Sequence, residues 1–318
     1  RTAAVSSLTK ANVRIDAYLQ PLSVTYAPVS PTVIQNNGHA IDLPVNVPIE
    51  GVAPDAAGSA RQLLQYGPVD YTLRKVNVHA PGEHSVDGKR PLMELHLIHE
   101  ANSAYKGMAS RWAIIIVPFF EAATPGDGDA FLDLWWDEIP PVGEQQVLDA
   151  TALNLVTGLL GGGVEGAAAG GGSVELPASS FYTYSGSLTT PPCSENARYF
   201  ILKAEAYPHR VSLSQVAQVT KLLNGTNSRP IQNNHWDPTD PTDRLQVLTK
   251  GPWLGAPIGS VVVAPQQQQQ QQSQTPTQNS DTVATPPVLA STADQALLGE
   301  AAGSAADTVA DLQASEGR

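Results

Sequence analysis

The sequence predicts a mainly β domain, a central twisted sheet of mostly antiparallel strands with a few short peripheral helices, followed by a low-complexity tail. Three observations carry this. Short segments alternate apolar and polar residues at a period of two with many β-branched side chains, Gly, Pro and Asn punctuate them, and the composition changes near residue 264.

Along the chain, strands are expected in Leu22–Tyr26, Thr32–Val45, Tyr71–His79, Leu92–His99 and Tyr199–Ala204. The apolar run Trp112–Phe120 has a strand's length, well short of the roughly 20 residues that span a bilayer. Amphipathic spacing predicts helices within Gln145–Leu160 and Ser212–Leu223. Between them, Gly161–Gly172 is rich in Gly and Ala and reads as a flexible surface insertion. The folded domain is expected over residues 1–263, with a tail over 264–318. That tail holds the run Gln266–Gln272, then Ser, Thr, Pro and Gln, then an Ala-rich acidic end without aromatic residues. Such a segment buries too little apolar surface to offset its ordering entropy. Ala293–Leu312 reads either as a short helix for a partner or as solvated chain.

A formal net charge of −12 argues against nucleic acid, heparin-like glycans and anionic membranes as partners, because each requires a cationic face. The lone Cys193 excludes an internal disulfide and leaves an inert thiol or an intermolecular link. Asn224-Gly225-Thr226 is a glycosylation sequon, meaningful only in a secretory compartment. A start without Met suggests a processed form, and a secretory or organelle-lumen location is the expectation.

The chemistry concentrates in histidines 79, 84, 96 and 99, which lie on two short segments separated by the turn Asp87-Gly88. In an extended Tyr71–His79, alternate side chains share a face, so Lys75, Asn77 and His79 point together; on the next strand Glu94 and His96 do so. Two imidazoles on adjacent strands, beside a carboxylate able to accept a ring N–H, make half of a zinc site. A catalytic zinc takes three protein ligands.

Four stretches sharpen the reading: Asn36-Asn37-Gly38-His39-Ala40, Val78-His79-Ala80-Pro81-Gly82-Glu83-His84-Ser85-Val86-Asp87-Gly88, Met93-Glu94-Leu95-His96-Leu97-Ile98-His99 and Tyr184-Ser185-Gly186-Ser187-Leu188-Thr189-Thr190-Pro191-Pro192-Cys193. In this order they resemble the α-carbonic anhydrases, and Arg229-Pro230-Ile231-Gln232 resembles that family's closing motif. The similarity runs from Val13 to Val247, with the family's N-terminal aromatic segment shortened. It implies a twisted sheet of about ten strands, the upper end of ordinary sheet sizes, with a zinc at the base of a conical cavity.

The resemblance also implies roles. His79 and His96 match the second and third zinc ligands, while Asn77 stands where the family has its first histidine. Glu94 matches the carboxylate that orients the third ligand. Thr189 matches the threonine beside the reacting water, Glu83 the carboxylate that fixes that threonine's proton, and His39 the proton shuttle. Leu188 and Thr190 match the cavity wall. Tyr199 replaces a customary Trp, and Ile98, Ile114 and Ile116 are expected to narrow the CO2 pocket. Residues His235–Thr242 interrupt the closing motif as an insertion.

Blander readings stand beside these. His84 and His99 read as hydrogen-bonded core histidines, His39 as a surface turn residue, and Glu83 with Thr189 as a clasp between loops. The expectation is a carbonic anhydrase-like protein with zinc lost or weakly bound, acatalytic, serving as a binding or structural subunit with a protein partner. The alternative is a weak zinc-dependent hydratase converting CO2 and water to bicarbonate and a proton. CO2, bicarbonate or another small anion is the ligand class for its cavity.

Overall fold

A computed structural model describes residues 7–8, 13–27, 32–45, 62–105, 107, 110–124, 127–148, 153–161, 172–191, 193–231 and 247–250. The insertion at 162–171, residues 235–242 and the tail 264–318 lie outside these described residues.

Ten strands form one continuous path: Val13–Ile15 (β1), Thr32–Asn36 (β2), Ile41–Pro44 (β3), Val69–His79 (β4), Met93–Ala101 (β5), Trp112–Glu121 (β6), Gln145–Leu148 (β7), Phe181–Ser187 (β8), Glu195–Leu202 (β9) and Val247–Thr249 (β10). Their spatial order is β7-β2-β3-β4-β5-β6-β9-β8-β10-β1. Strands Leu22–Tyr26, Leu63–Tyr66, Gly172–Leu176 and Arg210–Val211 join off this path, making a 14-stranded sheet. Most pairs are antiparallel; β6 with β9 and β10 with β1 are parallel. The sheet is therefore mixed, and the expectation of a mainly β fold with few short helices holds.

Period-two alternation divides the central strands between two cores. On one face Val76, Val78, Leu95, Leu97, Ile115, Val117 and Phe119 pack with Trp135, Leu155 and Val156. On the other, Ile114 and Ile116 pack with Tyr184, Tyr199 and Ile201. Each fully buried side chain of this size contributes about 1.5–3 kcal/mol. The second face is also the one on which Asn77, His79, Glu94 and His96 fall, so the polar group is set into an apolar wall.

Turn chemistry sets the registers. Asp87 and Gly88 both take positive φ between Val86 and Lys89, as a two-residue hairpin requires. Asn37 Oδ1 accepts the backbone N–H of His39 at 2.9 Å and of Ala40 at 2.7 Å, closing the turn from β2 into β3.

Helices are minor: Ala130–Asp133 (α1), Leu155–Leu159 (α2) and Leu213–Leu222 (α3). The expected helix at Ser212–Leu223 forms, with Ser212 and Gln215 closing a capping box. The one expected within Gln145–Leu160 does not. Its first part becomes β7, paired antiparallel with β2, and only α2 remains, capped by the Asn154 side chain. The open edge of β2 supplies a ladder for Gln145–Leu148, and that long-range pairing overrides local periodicity. Among the described residues no helix is long and apolar enough to cross a membrane.

Candidate metal centre

Adjacent strands build the site by register. Asn77 on β4 lies opposite His96 on β5, and His79 lies opposite Glu94. All four are at most 1 % exposed, and the His79 and His96 rings sit 4.2 Å apart.

Glu94 organises the floor. Its Oε1 accepts the His84 backbone N–H, and its Oε2 accepts His84 Nδ1–H and His96 Nε2–H, each at 2.9 Å. Burial pushes this carboxyl up, but its electrostatic interactions and hydrogen bonds with His84 and His96 outweigh it and hold it far below the usual carboxylate range. Donating Nε2–H to Glu94 leaves the His96 Nδ1 lone pair free. His84 is satisfied on both sides, with Tyr184 O–H donating to its Nε2 at 2.7 Å. There is no room above Glu94 for anything larger than Gly82: a Cβ there would lie 2.5 Å from Pro91 Cγ and 2.8 Å from Glu94 Oε1.

His79 Nδ1 lies 3.4 Å from both the Asn227 carbonyl oxygen and Glu83 Oε1. Burial pushes the His79 pKa down to about 4, with the neighbouring His96 adding to the fall and Glu83, Glu94 and Asn227 opposing it. The ring is therefore neutral at physiological pH, the state in which it can ligate. Asn227 also ties down the end of β4, donating Nδ2–H to Val78 O at 2.7 Å and accepting Ala80 N–H at 2.9 Å.

Glu83 enters from the loop after β4. Its Oε1 accepts the Arg229 backbone N–H at 2.8 Å, while its Oε2, 3.9 Å from His96 Nδ1, takes no hydrogen bond among the described residues. Burial raises its pKa, yet His79, His96, the Arg229 N–H and the Thr189 side chain bring it below the ordinary carboxylate value.

The structure thus brings Asn77, His79, Glu83, Glu94, His96 and Thr189 together. Leu188 packs half-buried against the second apolar core, while His39 and Thr190 are exposed at the surface. Ile116 faces His96 across the strand pair, Ile114 faces Ile98, and Tyr199 stacks on Tyr184 at 4.8 Å. Asn227 and Tyr184 are not singled out in the sequence as site residues. The only signal for Asn227 is its place two residues before the Arg229 motif.

One nitrogen from each of His79 and His96 and one Glu83 oxygen lie within 4.8 Å of one another. Asn77 Oδ1 and Glu83 Oε2 are both buried without a hydrogen-bond partner among the described residues. A divalent cation in this group would give a buried carboxylate oxygen a partner, so the residues present fit a metal ion, through two nitrogens and an oxygen donor.

Residues 173–250 match the family described as eukaryotic-type carbonic anhydrase. The chain is 30% identical over 227 residues to a carbonic anhydrase of Pectobacterium carotovorum, covering 70% of this chain and 74% of that protein. It is 26% identical over 232 residues to a carbonic anhydrase of Klebsiella pneumoniae, covering 71% and 77%. Among solved structures, the α-carbonic anhydrase of Thermovibrio ammonificans, in complex with the inhibitor sulfanilamide, is similar with a TM-score of 0.55 and 25% identity, over 78% of this chain and 87% of that one. Sequence similarity and fold similarity agree: the chain belongs to the α-carbonic anhydrase family.

Proposed function

We propose that this chain is a carbonic anhydrase homologue in which CO2 hydration is absent or strongly impaired, and that it acts as a binding or structural subunit for a protein partner. The observation that carries the reading is Asn77. It is 1 % exposed, opposite His96 and on the same face as His79, and it presents an unpartnered amide oxygen.

Zinc, when bound in such a cavity, supplies Lewis acidity and lowers the pKa of a water to about 7. The chain's own residues prepare for it: Glu94 fixes the His96 tautomer, Asn227 and Glu83 flank His79 Nδ1, and Thr189 leans on Glu83. The amide at position 77 is neutral, harder and less basic than imidazole, and its oxygen sits closer to the backbone. A borderline-soft ion prefers nitrogen or sulfur. Changing an outer partner of a ligand already costs about 10–100-fold in metal affinity, so replacing a ligand itself costs at least that much. The Ile114 and Ile116 wall beside the site adds a steric argument in the same direction.

The test is zinc content and stopped-flow CO2 hydration on the native protein and Asn77→His from one preparation. Native protein at background rate, with Asn77→His gaining both zinc and turnover, is the expected outcome. Zinc-dependent hydration by native protein well above background refutes the reading and makes the chain a weak hydratase.

A further inference from the structure

The donor set invites a more specific statement about what the altered site does with a metal, resting on the reading that Asn77 has disabled the three-imidazole arrangement. We infer that this chain holds a divalent cation through His79, His96 and Glu83, the carboxylate taking the place of the missing imidazole, with the Asn77 amide oxygen as a further, weaker donor.

Glu83 is 2 % exposed, and its Oε2 has no hydrogen-bond partner. A carboxylate oxygen in that position is costly to bury, and such groups in native proteins are paired or ligate metals. Its other oxygen is anchored by the Arg229 N–H, so the free oxygen is presented from a fixed base rather than from a flexible side chain. It lies 3.9 Å from His96 Nδ1, the ring nitrogen that is not bonded to Glu94. Two ligands with bonds near 2.0–2.1 Å and a tetrahedral angle between them sit about 3.3 Å apart, so a shift of well under 1 Å brings this pair to ligand spacing. Asn77, opposite His96 on the neighbouring strand, carries the second buried oxygen without a partner among the described residues.

One consequence follows. Oxygen donors are hard, so a site of two imidazoles, one carboxylate and one amide discriminates less in favour of zinc and accepts Mn2+, Fe2+ or Co2+ more readily than three imidazoles do.

The experiment is titration of the metal-stripped full chain with Zn2+ and with Co2+, reading heat and the cobalt visible spectrum, in the native protein, Glu83→Gln, Asn77→His and the double variant. Glu83→Gln is expected to weaken Zn2+ at least tenfold and to change the cobalt spectrum in the native background. In the Asn77→His background, where three imidazoles suffice, the same change is expected to alter Zn2+ affinity less than threefold. Equal losses in both backgrounds, or none in the native background, overturn the inference. Because Glu83→Gln could fail to fold, infrared difference spectra of native protein with and without Zn2+ provide an independent reading. A shifted carboxylate stretch is expected, and its absence, or the absence of any metal binding, overturns the proposal. Fast CO2 hydration by native protein would instead sink the loss of catalysis, leaving the Glu83 result to stand or fall separately.

Discussion

Replacing Tyr26 with phenylalanine probes a buried polar pair outside the candidate metal centre. Tyr26 O–H donates to His99 Nε2, and His99 Nδ1–H donates to Ala113 O at 3.0 Å, all in the main apolar core. Tyr26→Phe leaves the His99 nitrogen buried and unpaired, at a cost of about 1–3 kcal/mol. Replacing both partners, Tyr26→Phe with His99→Leu, removes the stranded group and should recover much of that loss. Burial holds the His99 pKa down at about 4, against an ordinary value of 6.5, with the hydrogen bonds to Ala113 and Leu97 opposing the fall. A histidine with a depressed folded pKa contributes stability that is fully present above 6.5 and is lost as pH falls through 6.5 towards 4, because the unfolded chain takes up the proton first. Between pH 7.5 and pH 5 this one group accounts for roughly 2 kcal/mol. Urea denaturation of native, single and double variants at those two pH values reads both effects. Native protein should lose about 2 kcal/mol more than the double variant on acidification. The same pH dependence in both, or a Tyr26→Phe change below about 0.5 kcal/mol, would show that the pair is not held as described.

Other expectations follow from particular contacts. Gly82→Ala drives a methyl group into Pro91 and Glu94 and should cost about 1–3 kcal/mol, a fall in Tm of several degrees by thermal denaturation; an unchanged Tm would contradict the close approach. Asn227→Ala strips partners from Val78 O and Ala80 N–H and should destabilise by about 2–3 kcal/mol in urea, whereas loss of zinc affinity without destabilisation would move its role from the fold to the site. Ser212→Ala removes the cap of α3 and should cost about 0.5–2 kcal/mol, readable by the same method.

Alternation along β4, β5 and β6 is written in the residues themselves. Because successive strand side chains point to opposite faces, the pairing of Asn77 with His79, and of Glu94 with His96, on one face follows from spacing alone. The Asp87-Gly88 turn and the capping box of α3 are equally local, set by residue types within a few positions. Helix against strand at Gln145–Leu160 was not decidable locally. The edge of β2, more than a hundred residues earlier in the chain, completes its backbone hydrogen bonds, and no periodicity within the segment reports that edge.

Sheet character, the histidine cluster and the Asn77-Val78-His79 spacing are legible in the amino-acid sequence, since each is a property of residue type and short spacing. Only the tertiary structure decided that Asn77 Oδ1 and Glu83 Oε2 are buried without partners, that Asn227 clamps the end of β4, and that His39 lies exposed on its turn. Whether a polar atom is satisfied depends on groups brought from distant parts of the chain, and a buried oxygen's lack of a partner becomes visible only when every neighbour is in place.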